Sequence, residues 1–248
     1  MILRIVSKLF LIACLSVGIA SVGTIPHSAQ AAEGFYVGLN GGWNWARGGN
    51  SSTDTGGLFL NGTAFDIDAD NGRQLAGVIG YKYSDLLRVD ASYTHLKNKL
   101  SWQGDFKGLA NPSSFTADTT SHILLLNGYL HGKGLSDGTF DTFDPFIGAG
   151  IGLVRNDMSN IVETFFGGTG NALPNDSKDL HPAIRVGIGV DTEITPSLAL
   201  TSGLDAYWLG EFQTDDSRIN NGGNQLIGAW SVDDVFSVGM SLGLRYTF

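Results

Sequence analysis

Seven charged side chains stand within alternating apolar and small-residue stretches: Lys82, Arg88, Asp90, Arg185, Asp191, Asp205 and Arg245. A lone ion among apolar neighbours costs several kcal/mol, so such charges either pair with one another or line a wet path. Their chemistry is therefore that of an ion-pair network or an ion conduit. Asp66, Asp68 and Asp70 place carboxylates at every second position, as a calcium loop does. The EF-hand pattern fails, because Asn71 stands where its glycine belongs and Gly77 where its glutamate belongs. A solvated acidic loop is the expected reading, with a loose divalent-cation site as the weaker alternative. Gly148, Gly150 and Gly152 have the wrong spacing for a nucleotide loop, and no helical pattern follows them. Hydrolytic chemistry would need a nucleophile beside a histidine. Ser121 and His122 are adjacent, and Ser92 and His95 are three apart, so in a strand each pair splits between opposite faces. No catalytic residue is expected, and the histidines read as ordinary loop or interfacial side chains.

The elements that must position these charges have a period of two. From Phe236 to Phe248 every second residue is apolar, while Ser237, Gly239, Ser241, Gly243, Arg245 and Thr247 alternate with them. That is a strand with one oily and one polar face, as long as a tilted membrane-crossing strand needs to be. The same alternation predicts strands over 35–46, 73–83, 86–97, 119–131, 143–155, 182–192 and 198–209, giving eight in all. The alternation of 119–131 is the weakest, because Ile123 and Leu125 are apolar on the polar parity. All seven charges fall on that parity. Glycine and asparagine there suit a narrow lumen in which little space is left for side chains. Long polar connections are expected at 47–72, 98–118, 156–180 and 210–234, alternating with short turns at Ser84-Asp85, 132–142 and 193–197. Asn50, Asn61 and Asn175 begin N-x-S/T triplets in the expected loops and carry little meaning. The fold class is all-β: an eight-stranded antiparallel up-and-down transmembrane β-barrel.

The amino end reads as a cleaved signal over 1–31, with Arg4 and Lys8, an apolar run from Leu9 to Ala20, and Ala29-Gln30-Ala31 before the cut. Cys14 inside Leu11-Ile12-Ala13-Cys14 offers a lipoprotein signal as a rival. Removal of 31 residues leaves a barrel domain over 32–248, with 217 residues, 24 acidic and 13 basic side chains, a net charge of −11 and no cysteine. Disulfides then have no part, and the acidity argues against nucleic acid as a partner. No cofactor is expected.

Three stretches carry a resemblance: Gly34-Phe35-Tyr36-Val37-Gly38-Leu39-Asn40-Gly41-Gly42-Trp43, the run from Asp144 to Gly152, and the ending Gly243-Leu244-Arg245-Tyr246-Thr247-Phe248. Together they resemble the opacity/OmpA-like superfamily of small proteobacterial outer-membrane barrels. The resemblance covers the whole chain after residue 31. It implies location in the outer membrane of a Gram-negative bacterium, with both termini periplasmic. It implies that Tyr246 and Phe248 form part of the signal read by the barrel assembly machinery. It also implies contact with outer-membrane lipids and lipopolysaccharide, whose phosphates would share any divalent ion held by Asp66, Asp68 and Asp70. No periplasmic domain is expected after Phe248. Such folds host antigens, adhesins, anchors, small channels and some enzymes, so fold does not settle role. The expected role is a non-enzymatic, surface-exposed structural or interaction protein. A narrow porin-like channel and an adhesin that contacts host surface molecules through the long loops are the alternatives.

Overall fold

The computed structural model describes residues 33–47, 51–53, 64–69, 71–105, 113–135, 140, 142–165, 168–170, 173–174, 177–213, 217–220, 223–226, 230–232 and 234–248. The expected signal over 1–31, Cys14, Asp70, Asn50, Asn61 and Asn175 lie outside these residues. Eight long strands are present: β1 (Gly34–Arg47), β2 (Asn71–Lys82), β3 (Leu87–Asp105), β4 (Ser113–His131), β5 (Phe143–Phe165), β6 (Ser177–Thr195), β7 (Leu198–Trp208) and β8 (Phe236–Thr247). Each pairs antiparallel with the next, and β8 pairs with β1, so the sheet closes into a barrel without edges.

The pairing fixes the barrel's shape. A walk across the strands from Val37 passes Ile79, Ala91, Leu126, Ile151, Ile184, Trp208 and Phe236, and returns to β1 at Arg47. The return lies ten residues beyond the start, which is the shear of the barrel. With strands about 4.8 Å apart and a rise of about 3.3 Å per residue, that shear tilts the strands by about 40°.

Alternation decides the faces. Phe35, Leu39, Leu75, Leu126, Ile147, Ile151, Val186 and Leu242 are each more than half exposed, and they cover the outer wall. Aromatic side chains collect near its two rims. Trp43, Trp45 and Trp208 lie toward the end with the long connections, called here the loop end. At the opposite, turn end, Phe35 packs on Tyr81 with ring centroids 5.0 Å apart, and Tyr246 on Phe248 at 5.2 Å. The Phe248 amide donates to the Phe35 carbonyl at 2.9 Å, tying the carboxyl end to the start of β1.

Two expectations about strands need correction. The connections expected at 98–118 and 156–180 are largely strand. β3 runs on to Asp105 and meets β4 from Ser113, while β5 reaches Phe165 and β6 begins at Ser177. The segment Ala64–Ala69, expected as loop, pairs with the far end of β3, and short strands at Ser51–Thr53, Phe212–Gln213, Ser217–Asn220, Gly223–Leu226 and Trp230–Val232 occupy parts of the other connections. These extensions lack an oily outer face, and Leu100, Ala117, Met158 and Ile161 are buried on their inner one, so apolar-outward alternation does not mark them, yet their backbone groups pair as well as any. Two irregularities interrupt the ladder, a register shift between Glu193 and Thr195 on β6 and a bulge on β5. Asn160 adopts a left-handed φ of 54°, the β4–β5 register shifts between Thr116 and Asp118, and Ile161 is thereby turned inward.

The second correction concerns the interior, which is not polar throughout. Leu96, Ile123, Leu125, Val154, Ala183, Tyr207 and Leu209 face inward and form one buried apolar cluster. It occupies the loop half of the lumen, above Arg88 and Asp90 on β3, Asn127 on β4 and Arg185 on β6. Ile123 and Leu125 are apolar on the inner parity because they pack there against other side chains. Leu125→Ala should cost roughly 2–5 kcal/mol of stability, the usual range for a deleted core side chain. Chemical denaturation of the refolded barrel would measure it, and a cost near zero would mean that the loop half is not a packed core.

Candidate functional site in the barrel lumen

The turn half of the lumen holds the charges. Inward positions on β3, β6 and β8 bring Arg88, Asp191 and Arg245 together, although 103 residues separate Arg88 from Asp191. The Arg88 Nη1 donates to Asp191 Oδ2 at 2.9 Å, and the Arg245 Nη2 lies 3.0 Å from the same oxygen. The Thr201 hydroxyl donates to the other carboxylate oxygen at 2.6 Å. Asp191 is 1% exposed and Arg88 3%, so this pair sits where water cannot screen it.

A second cluster lies above the first. Arg185 pairs with Asp205 at 2.5 Å and donates to the Tyr129 hydroxyl at 3.2 Å. Asp90 accepts from the Tyr36 hydroxyl at 2.8 Å and from the Asn127 amide at 2.6 Å. The Arg88 guanidinium carbon lies 4.2 Å from the Tyr129 ring centroid and 5.2 Å from that of Phe146, so aromatic faces cover what carboxylates do not. Three arginines and three aspartates stand at its centre. With Tyr36, Asn127, Tyr129 and Phe146 around them the members come from β1, β3, β4, β5, β6, β7 and β8, so the network crosses the barrel from wall to wall.

Lys82 stands apart from this network. It is the last residue of β2, and its ammonium reaches Asp85 in the adjoining turn at 2.8 Å. His131 is buried, contrary to its expected place in a loop or at an interface. Its Nδ1 lies 2.8 Å from Asp144 Oδ2 and 4.0 Å from Asp191 Oδ2. Tyr36, Asn127, Tyr129, His131, Asp144 and Thr201 belong to the site, and no motif or charge pattern marks them as a group. Inner parity on their strands is the one sequence signal they share.

Little space remains. Two lumen cavities of about 50 and 30 Å³ adjoin the Arg185–Asp205 pair, which is room for water molecules and nothing larger. Toward the loop end, the Asn44 amide donates to Asn98 at 2.8 Å and to Ser237 at 3.1 Å, clasping β1, β3 and β8. Ser121 turns inward to Asn156, whereas His122 turns outward, where its Nδ1 lies 2.6 Å from the Tyr93 hydroxyl. Among the described residues no three His, Cys, Asp or Glu side chains converge as metal ligands. Asp66 and Asp68 lie in the short strand paired with β3, and their side chains lie outside the described part.

No family model and no curated protein matches the sequence. Solved structures do match. The outer membrane protein OprG from Pseudomonas aeruginosa is similar with a TM-score of 0.52 at 15% identity, over 87% of this chain and 97% of that one. This is the fold of the small outer-membrane β-barrels. Neisserial surface protein A is similar at 19% identity and a TM-score of 0.46, over 86% of this chain and 97% of that one. The outer membrane protease OmpT from Escherichia coli is similar at 10% identity and a TM-score of 0.42, over 87% and 94%. Identities this low establish architecture and leave chemistry to the side chains.

Those side chains make an ordered prediction. Arg245→Ser leaves Asp191 with Arg88 and Thr201, whereas Asp191→Ala strands two arginines. Asp191→Ala should therefore cost the full roughly 3–5 kcal/mol of a broken buried pair, and Arg245→Ser distinctly less. Thermal unfolding of the two variants side by side checks the order. A larger loss for Arg245→Ser would show that Asp191 is not the hub.

Proposed function

We propose that this protein is a non-enzymatic barrel of the Gram-negative outer membrane that acts through its surface and does not pass solutes through its axis. The supporting observation is the filled lumen: an ion-pair layer across the turn half, and an apolar cluster with bonded Asn and Ser side chains in the loop half. A channel would need a continuous wet path, and an ion moving along this axis would have to leave water to pass the Leu96–Ile123–Val154 layer. The outer wall supports the membrane setting. Its exposed Leu, Ile, Val and Phe side chains would be an aggregation hazard in water and are at home in lipid. In this reading the long connections face outward, both termini of the chain are periplasmic, and Tyr246 and Phe248 serve the assembly machinery. The paired extensions of β3 to β6 beyond the apolar belt favour interaction as the role, because they hold a fixed surface clear of the lipid.

Conductance in a planar bilayer tests closure. The wild type should show no steady single-channel steps, and Asp191→Ala should introduce them by loosening the layer. Steady conductance by the wild type would overturn the closed reading in favour of the channel. Orientation is tested by a bulky, impermeant thiol reagent on whole cells. Ser114→Cys at the loop end should react, and Ser84→Cys at the turn end should react only after the outer membrane is permeabilised. The opposite pattern would invert the topology.

A further inference from the structure

Of the four histidines on the described strands, His131 and His181 face the lumen and the other two face outward. His95 on β3 and His122 on β4 are direct cross-strand partners, with ring centroids 5.0 Å apart and planes tilted by 52°. Two imidazoles bound side by side to one transition-metal ion, with nitrogen about 2.0–2.1 Å from the metal, have ring centres roughly 4.5–5.2 Å apart. The pair therefore stands at the spacing of two ligands of one ion. It lies where the wall changes character, with Leu124 and Leu153 in the row below and Lys97 and Asp157 in the row above. The His122 side chain is 32% exposed, so an ion reaches it from outside.

The neighbours set the ring orientation and the kind of ion. The Tyr93 hydroxyl lies 2.6 Å from His122 Nδ1. With Nδ1–H donating to that oxygen, the Nε2 lone pair of His122 is left for a ligand, which is how an outer oxygen ordinarily orients a metal-binding imidazole. Nε2 lies 3.8 Å from Asp157 Oδ2, too far for a hydrogen bond, and Asp157 is engaged by Arg155 at 3.0 and 3.3 Å. Arg155 is the other cross-strand neighbour of His122, Lys97 follows His95 on the same face, and Arg73 stands opposite Lys97. These cations disfavour an ion held by charge, such as Ca²⁺ or Mg²⁺, which in any case takes oxygen ligands. They leave room for an ion held by nitrogen donation. Among the described residues no third His, Cys, Asp or Glu converges on the pair, so the remaining positions of such an ion fall to water. Imidazole and water ligands suit Cu²⁺ best, with Ni²⁺ and Zn²⁺ weaker.

We propose that His95 and His122 form a binding site for a divalent transition-metal ion, Cu²⁺ foremost, on the outer wall toward the loop end, with Tyr93 positioning the His122 ring. The inference goes beyond the closed-barrel reading and does not depend on it, because the site lies on the opposite side of the wall from the lumen.

The test titrates the full barrel, refolded in detergent, with Cu²⁺ alone and follows it by electron paramagnetic resonance, whose nitrogen hyperfine pattern counts the bound imidazoles. The wild type should hold one ion with two nitrogen ligands. His95→Gln and His122→Gln should each weaken that site more than tenfold, and the double variant should bind about as weakly as the singles, since one ring alone makes no chelate. Tyr93→Phe should weaken it by less than either. His181→Gln, in the lumen, should leave it unchanged, and equimolar Mg²⁺ should not compete. Unchanged affinity in either outer histidine variant would overturn the proposal. So would a single nitrogen ligand in the wild type, loss of the site in His181→Gln, or displacement by Mg²⁺. If one single variant fails to refold, the other and the nitrogen count of the wild type still decide.

Discussion

The structure depends on one ladder, the pairing of β8 with β1. Twelve residue pairs from Tyr36–Thr247 to Arg47–Phe236 join the two ends of the sheet and leave no strand with an unpaired side. In lipid every unpaired backbone group costs several kcal/mol, so an open sheet of these eight strands would not persist there. Closure with a shear of ten also sets the interior size, which is too narrow for a pore with large inward side chains and too wide to be left empty. Everything inside the barrel answers that constraint.

The answer differs between the two halves. Near the turns the wall is lined by glycine and by a few long charged side chains that reach across the axis. At Gly80 a Cβ would collide with the Tyr36 ring and with Asp90, and at Gly150 with the Asn127 amide. The missing side chains on some strands are thus the space into which Tyr36, Asn127 and the arginines extend. Near the loops the lining is Leu, Ile, Val and Tyr together with uncharged Asn and Ser side chains that bond one another, and packing needs no partners of opposite charge. One half is filled by paired charges and the other by uncharged packing.

The outer face was legible in the sequence because it meets a solvent unlike that of the inner face. β8 is the clearest case: its outward residues from Phe236 to Phe248 are all apolar, so parity and strand could be read together. The extensions of β3 and β5 were not legible, since outward residues such as Ser101 and Ser159 give no oily outer face to keep in step, and Leu100 and Met158 are apolar on the inner one. Nor was the apolar layer, because Ile123 and Leu125 break the rule that apolar means outward. The parity of Arg88, Asp191 and Arg245 was readable, but their partnership was not. It follows from the shear, which brings three distant strands to one height, and shear is a property of all eight pairings together. Lys82 shows the converse: it has the inner parity, but at the end of its strand it can reach the turn.

Arg245 has a consequence for alignment. The inner face of β8 is otherwise Ser237, Gly239, Ser241, Gly243 and Thr247, small residues without a charge to mark their height on the wall. Its outer face is equally indifferent, since one apolar residue replaces another after a slip of two. A two-residue slip would, however, carry Arg245 about 6.6 Å along the wall, away from Asp191 and into the company of uncharged neighbours. A single guanidinium therefore serves as the index mark of the last strand. It distinguishes by charge the closed ring with the right offset from rings that differ by one pleat, as Gly243, where a Cβ would collide with Asn40, does by shape.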